Sequence, residues 1–287
     1  MEALKHLLNI TLALFMIGNM LDMGLRLDAR QALRDLRDAR FLLASLLWGF
    51  VALPALAWGL AHLLPLEHPY ATGLVLLGMA PCAPFLPPMV DRARGDLGCT
   101  AAFMLLAVLV IVAYMPLAVP RLTSGLSADA WTIAKPLLLF LLLPLALGLG
   151  LRRRSLPRAE RLHPLVKKLT NVDTLAMLVL CVVVYGEGFV SLLGSWVIGA
   201  QLLFFSAATV LPYALGFGLP RGQRIVLSLG LATRNLGAAF APLFAVPGAD
   251  QRAVVVVALG VLMQAAFSFG AATVYARRGA AAAAGHA

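Results

Sequence analysis

Apolar residues in this chain come as long unbroken runs of about 20 residues, the length needed to cross a hydrocarbon layer about 30 Å thick. The runs lie at about 5–26, 41–64, 70–90, 96–119, 129–151, 169–190, 194–219, 223–247 and 252–276. Nine transmembrane helices are therefore predicted, in an all-α polytopic membrane protein. Most connections are short. The two longer ones, 27–40 (LDARQALRDLRDAR) and 152–168 (RRRSLPRAERLHPLVKK), are predicted as loops. Residues 1–278 read as a single transmembrane domain, and the low-complexity tail 279–287 is expected to be disordered.

Composition agrees with this pattern. Hydrophobic residues make up 61% of the 287 and charged residues 13%, with a mean hydropathy of +0.91, against about 45–50% and ~25% in soluble domains. A soluble enzyme, a disordered protein and a secreted disulfide scaffold are excluded. Cys82, Cys99 and Cys181 lie inside apolar runs without CxxC spacing, so neither a disulfide framework nor a zinc site is expected, and no resident metal or cofactor. The first run is followed by Arg26 and a charged stretch rather than a small-residue cleavage site, and reads as a retained helix.

The net charge of +10 raises the question of nucleic acid, and its placement answers it. With the N-terminus outside, eighteen basic residues fall in loops on the inside. They are Arg26, Arg30, Arg34, Arg37 and Arg40, then Arg92 and Arg94, seven in 152–168, then Arg221, Arg224, Arg277 and Arg278. Lys5, Arg121 and Arg252 fall outside, while Lys135 and Arg234 lie within helices. The asymmetry predicts an N-terminus outside and a C-terminus in the cytoplasm. The Ala/Leu/Arg bias suggests a bacterial inner (plasma) membrane. The 152–168 loop is expected to rest on anionic lipid, with no nucleic-acid partner.

Two of the predicted helices cannot be regular. The third carries Pro81, Pro84, Pro87 and Pro88 in MAPCAPFLPPMV, and no helix runs evenly through such a cluster. The eighth, RIVLSLGLATRNLGAAFAPLFAV, places Thr233, Arg234 and Asn235 between Gly230 and Gly237 near mid-membrane depth. Freed backbone groups at that depth must be buried in protein or line a wet cavity, and a polar break there marks a site. Helices 1–4 (about 5–119) begin outside and helices 6–9 (about 169–276) begin inside, with helix 5 (129–151) as the joint. Each four-helix unit has its third member broken. Two crossing, interrupted helices in an inverted repeat are the pattern of a secondary transporter. The repeat rests on topology and break position, not on residue identity between the halves.

The candidate substrate-binding residues are Pro81, Cys82, Ala83 and Pro84 in the first break and Thr233, Arg234 and Asn235 in the second. Half-helix N-termini there offer positive dipole ends to an anion. Arg234 can instead be a structural ion-pair partner of Asp22 or Asp173. Asn235 can serve helix packing, Cys82 can be a metalloid ligand or simply a small residue, and Thr100 and Thr233 can bond back to their own helices. Asn19 and Asp22 in helix 1, with Asn171 and Asp173 in helix 6, occupy corresponding positions and form a candidate cation or proton site. The two aspartates lie a turn or two from helix ends, shallow enough to be solvated.

Several of these segments resemble one known family. MGLRL at the end of helix 1, FVALPALAW in helix 2, the A-P-C break followed by ARGD, and TRNLGAA in helix 8 resemble the bile acid:sodium symporter family over nearly the whole length. The resemblance implies nine or ten helices, two of them interrupted and crossing near the bilayer middle. It also implies a panel of helices that rocks against a core to move organic anions with sodium. This chain looks like the nine-helix form, with Gln264 near a polar position that lines the family's cavity.

Departures cluster at the family's sodium sites. Its Ser-Asn pair in helix 3 falls on Leu86 and Pro87, and its helix 8 pattern E-x-G-x-Q-N falls with Gly230 at the Glu and Arg234 at the Gln. Thr100 matches one helix 4 hydroxyl ligand while Met104 replaces the other, and Gly49 stands at the polar helix 2 position. The expectation is a sodium-independent carrier of small or amphipathic carboxylates, with proton coupling as the alternative to sodium. Arg234 either replaces the ion or forks onto a substrate carboxylate. Two rival readings remain. Ala80, Pro81 and Cys82 match the APC motif of arsenite-efflux permeases, although Gly237 stands where that family has a glutamate. A non-transporting membrane sensor would normally bring a sizeable soluble domain. With no HExxH or GxSxG, an enzyme is not expected.

Overall fold

Lipid offers no hydrogen-bond partner, so an apolar run in a membrane satisfies its peptide groups by closing on itself as a helix. The computed structural model describes residues 2–123, 129–246 and 248–284, with side chains up to residue 279. In chain order its elements are α1 (Glu2–Arg26), α2 (Ala29–Asp35), α3 (Ala39–Leu63), α4 (His68–Met79), α5 (Leu86–Arg92), α6 (Leu97–Leu122), α7 (Ala130–Arg154), α8 (Leu156–Ser191), α9 (Val197–Ala214), α10 (Arg221–Ala232), α11 (Leu236–Ala245) and α12 (Gln251–Ala284). Among the described residues there is no strand, and seven helices (α1, α3, α6, α7, α8, α9 and α12) are long and apolar enough to cross a membrane. The predicted crossings at 70–90 and 223–247 are each divided into two short helices, α4 with α5 and α10 with α11. The protein is an all-helical integral membrane protein.

Proline shapes the long helices as well as the broken ones. Both α3 and α7 widen into a π-helical stretch, Trp48–Ala52 and Leu138–Leu142, just ahead of Pro54 and Pro144. A proline ring clashes with the carbonyl four residues earlier, and a widened turn makes room for it without ending the helix. On α8 the exposed side chains Leu169, Val172, Leu175, Val179 and Val182 recur every three or four positions. That stripe faces lipid, where exposed apolar area is favourable.

Two groups of helices recur in the packing, and they meet where α6 and α11 also pack on α7. α1 lies along α7 and α8, while α4 packs on α3 and α12, and α10 on α9 and α6. In the second group Leu76, Leu77, Phe103, Phe204, Phe205 and Phe240 are fully buried. In the first, the backbones of α1 and α7 nearly touch: a Cβ on Gly148 would lie 2.7 Å from the Leu21 carbonyl oxygen, and one on Gly24 2.5 Å from that of Leu145. Small residues that let helices approach this closely are what drives association where no hydrophobic effect operates between them.

Two expectations about connections need correction. The stretch 27–40 is not simply a loop, because α2 occupies its middle, capped by Asp28, whose carboxylate accepts from the Arg30 and Gln31 amides. The stretch 152–168 is helical except at Ser155, since α7 runs to Arg154 and α8 begins at Leu156. Pro157 sits in the first turn of α8, where a proline is well tolerated. Apolar runs mark where hydrocarbon lies, not where a helix ends, so charged helical turns beyond the bilayer are invisible to hydropathy. At the C-terminus α12 continues through the alanine run to Ala284, in keeping with the high helix propensity of alanine. The rest of the predicted tail, 285–287, lies outside the described residues.

Asp38 joins two elements outside the apolar spans. Its Oδ1 caps α3 by accepting from the Arg40 and Phe41 amides at 3.0 and 3.3 Å, and its Oδ2 accepts from Gln223 Nε2 on α10 at 2.9 Å. The Gln223 bond first, then the Phe41 amide, holds this carboxyl below the usual carboxylate range. A depressed folded value means that the stabilisation is present at neutral pH and is lost as pH falls through that value. Asp38→Ala is therefore expected to lower stability by about 0.5–2 kcal/mol at neutral pH. The gap from wild type should close as pH drops below about 4 in thermal unfolding of the purified protein. Gly148→Leu is expected to destabilise by about 1–3 kcal/mol through overpacking. Gly150→Leu, at a position where a Cβ meets nothing within 4 Å, should leave the melting temperature unchanged.

Candidate functional site

The two breaks meet. α4 stops at Met79 and α10 at Ala232, and the segments that follow run extended across one another, Pro81 facing Arg234 in an antiparallel β-bridge. Pro81 and Pro84 lack amide hydrogens and disfavour helix in the residues before them, so residues 80–85 cannot continue α4. The amide of Cys82 donates to the Thr233 carbonyl at 2.9 Å, and the amide of Asn235 donates to the Ala80 carbonyl, also at 2.9 Å. The Ala83 amide donates to Thr233 Oγ1 at 3.2 Å, and that hydroxyl donates to the Gly230 carbonyl at 3.1 Å. Each break thus supplies the partners that the other lacks. Cys82 holds a left-handed φ of 73° to make the turn, a strained conformation for a residue with a Cβ.

Arg234 has no solvent exposure at all. Its backbone amide donates to Gln264 Oε1 on α12 at 2.6 Å. Its Nη2 donates to the Leu231 carbonyl at 2.6 Å and its Nη1 to the Gly78 carbonyl at 3.4 Å, while the guanidinium lies 4.7 Å over the Phe204 ring. The two carbonyls belong to the last turns of α10 and α4, which are the negative ends of two helix dipoles. Each such end carries roughly −0.5 charge, so the pair together match about one guanidinium. Arg234 Nε and Asn235 Nδ2 are buried without a partner among the described residues. Asn235 Oδ1 caps α11 by accepting from the Ala238 amide at 3.1 Å.

The ion pair between Arg234 and Asp22 or Asp173 does not form. Asp22 instead lies 3.0 Å from Arg26 Nη2 and 3.0 Å from His163 Nε2, and Arg26 Nη2 also donates to the Pro84 carbonyl at 3.3 Å. Asp173 Oδ2 has no partner among the described residues, and Asn171 is exposed. Asn19 bonds back to the Phe15 carbonyl at 2.8 Å, and Thr100 to the Asp96 carbonyl at 2.7 Å. Among the described residues no hydrogen bond or ion pair links Asn19, Asp22, Asn171 and Asp173 to one another. Pro81, Cys82, Ala83, Pro84, Thr233, Arg234, Asn235 and Gln264, by contrast, all belong to the crossing. Phe204, His163 and the carbonyls of Gly78 and Leu231 had no signal in the sequence, being respectively one apolar residue among many, a member of an expected loop, and backbone.

Two cavities flank α1. One of about 610 Å³ between α1, α7 and α11 is lined by Asn9, Leu12, Met16, Lys135, Phe140 and Phe244, among others. Met16 packs on Gly237 in the first turn of α11, where a Cβ would come within 2.8 Å of it. The other, of about 250 Å³, is lined by Met23, Arg26, Pro87, Thr100 and Met104, among others. The first joins apolar walls to an amide and an ammonium, a lining suited to an amphipathic anion. Gln264 is 2% exposed, and Gln264→Leu would leave the Arg234 amide unpaired in a dry interior. A loss of about 1–3 kcal/mol is expected, read as a lower unfolding temperature than that of wild type.

An uncharacterised sodium-dependent transporter of Bacillus subtilis (strain 168), YocS, is 26% identical over 267 residues, spanning 84% of this chain and 77% of that protein. The pattern of the Sodium Bile acid symporter family matches residues 11–192, from within α1 through the first break to the end of α8. The chain belongs to the Sodium Bile acid symporter family.

Proposed function

We propose that this transporter carries small or amphipathic organic anions without sodium, with Arg234 as a built-in cation. The observation that carries the reading is the guanidinium between the Gly78 and Leu231 carbonyls, at the C-terminal ends of both half-helices. Half-helix C-termini and unwound carbonyls are where secondary transporters hold a coupling cation. A permanent charge at that place makes a mobile one redundant, and a second cation there would meet direct repulsion. Leu86, Pro87, Gly230 and Met104 supply no side-chain oxygen where the family resemblance expects ligands.

The architecture supports alternating access. Counting α4 with α5 and α10 with α11 as single interrupted crossings gives nine in all, arranged as two inverted units joined by α7. The packing of α3 on α4 is repeated by α9 on α10, and that of α4 on α12 by α10 on α6, as a two-fold relation requires. In this reading α1, α7 and α8 form the panel that rocks against the rest, with the N-terminus outside a bacterial inner membrane. The 610 Å³ cavity lies where panel and core face each other, with Lys135 as the countercharge for a carboxylate.

Uptake of radiolabelled small carboxylates into proteoliposomes, with and without a sodium gradient, tests this. Equal uptake in both is expected, and clear stimulation by sodium would overturn the reading. Arg234→Gln removes two charge-assisted bonds of about 1.5–3 kcal/mol each, so uptake should fall at least about tenfold in sodium-free buffer.

A further inference from the structure

A second basic feature lies away from the crossing, on the lipid-facing side of α9 and α12. The two helices run parallel here. Phe205 stacks on Phe267 with ring centroids 6.0 Å apart, and eight residues further along each helix Tyr213 stacks on Tyr275 at 4.4 Å. Between them is a groove of about 710 Å³, lined by residues of α9, α10 and α12. Ala266, Gly270 and Ala271 keep its floor low, and a Cβ on Gly270 would meet nothing within 4 Å. Val210 and Val274 form exposed apolar rims.

One end of the groove is positively charged. Arg224 and Arg278 line it, and Arg221 stands beside it, donating to the Tyr275 carbonyl at 2.7 Å. Arg224 is fixed by its Nε bond to the Tyr213 carbonyl at 2.7 Å and by its position 4.7 Å over the Tyr213 ring. No carboxylate pairs with any of these arginines among the described residues. The stacked tyrosines sit at the same level, where amphipathic rings mark a membrane–water interface. From Ala266 to Arg278 the groove follows α12 for about 18 Å at 1.5 Å per residue. Half the hydrocarbon thickness is about 15 Å. An apolar trough one leaflet deep, ending in guanidinium groups of which Arg224 is held in place, has the shape and charge of one lipid.

We propose that this groove is a binding site for an anionic diacyl phospholipid, its acyl chains along Val210, Gly270 and Val274 and its phosphate on Arg224 and Arg278. The assignment stands apart from the transport reading, because it uses none of the crossing residues. Only the arginine end distinguishes such a site from ordinary annular contact, since bare apolar grooves accept any lipid.

The test is retention of phosphatidylglycerol against phosphatidylcholine by the purified full chain, counted by native mass spectrometry and followed by thermal shift. Wild type should retain phosphatidylglycerol preferentially and be stabilised by it. Arg278→Gln, at an exposed position, should weaken retention about fivefold, the equivalent of about 1 kcal/mol per basic residue at the surface. Gly270→Leu fills the trough while keeping every charge, and should also weaken it. Arg92→Gln removes the same single charge at another exposed position and should leave it unchanged. Equal retention of both lipids, retention untouched by Arg278→Gln and Gly270→Leu, or an equal loss in Arg92→Gln would overturn the site. Equal stabilisation by glycerol phosphate without chains would overturn the lipid in favour of a soluble anion.

Discussion

The centre of this molecule depends on one short piece of pairing, the antiparallel bridge between Pro81 and Arg234. A break in a membrane helix frees amides and carbonyls that lipid cannot satisfy, at several kcal/mol for each group left bare. Neither break is viable alone. Laid across one another, they exchange the Cys82–Thr233 and Asn235–Ala80 bonds, and the Thr233 hydroxyl takes up the Ala83 amide as well. The strain of Cys82 is tolerated because the surrounding bonds over-determine its position. Fold and site are in this sense one object: the residues that close the backbone are also those that bring Arg234 to the two helix ends.

Burial of a full charge without a carboxylate would ordinarily be prohibitive. Here the countercharge is distributed over backbone dipoles and the face of Phe204, with the Arg234 amide itself pinned by Gln264. Such a partner set is fixed in the covalent chain, which separates it from an ion pair with Asp22. Asp22 has a different allegiance. It ties α1 directly to His163 on α8 and, through Arg26, to the Pro84 carbonyl in the first break, which connects the two groups of helices near the end of α1.

Much of this was legible in residues whose chemistry is local. Four prolines in MAPCAPFLPPMV can only interrupt a helix, and TRN between glycines at mid-depth can only be a break, so both interruptions and Arg234 stand out from sequence. The crossing partners of Arg234 did not, because Gly78 and Leu231 act through carbonyls that every residue carries. The helical turns at 156–168 were hidden because a charged amphipathic helix outside the bilayer has no long apolar run. His163 was lost with them. Asn19 and Thr100 look like ligands in sequence, yet each bonds to a carbonyl of its own helix. Short polar side chains in membranes commonly do so, and no spacing rule reveals it.

The near contact of Gly24 with Gly148 has a mechanical meaning. Where two backbones touch, with a hypothetical Cβ falling within 3 Å of a carbonyl oxygen on either side, neighbouring turns mesh like cogs and sliding requires the helices first to separate. α1 and α7 therefore form a stiff seam. Where α1 meets α11, in contrast, the contact at Gly237 is through Met16, an unbranched and adaptable side chain. One edge of α1 is welded and the other is lubricated, so any rearrangement of this molecule has its slip plane marked in advance by which residue, glycine or methionine, stands at each face.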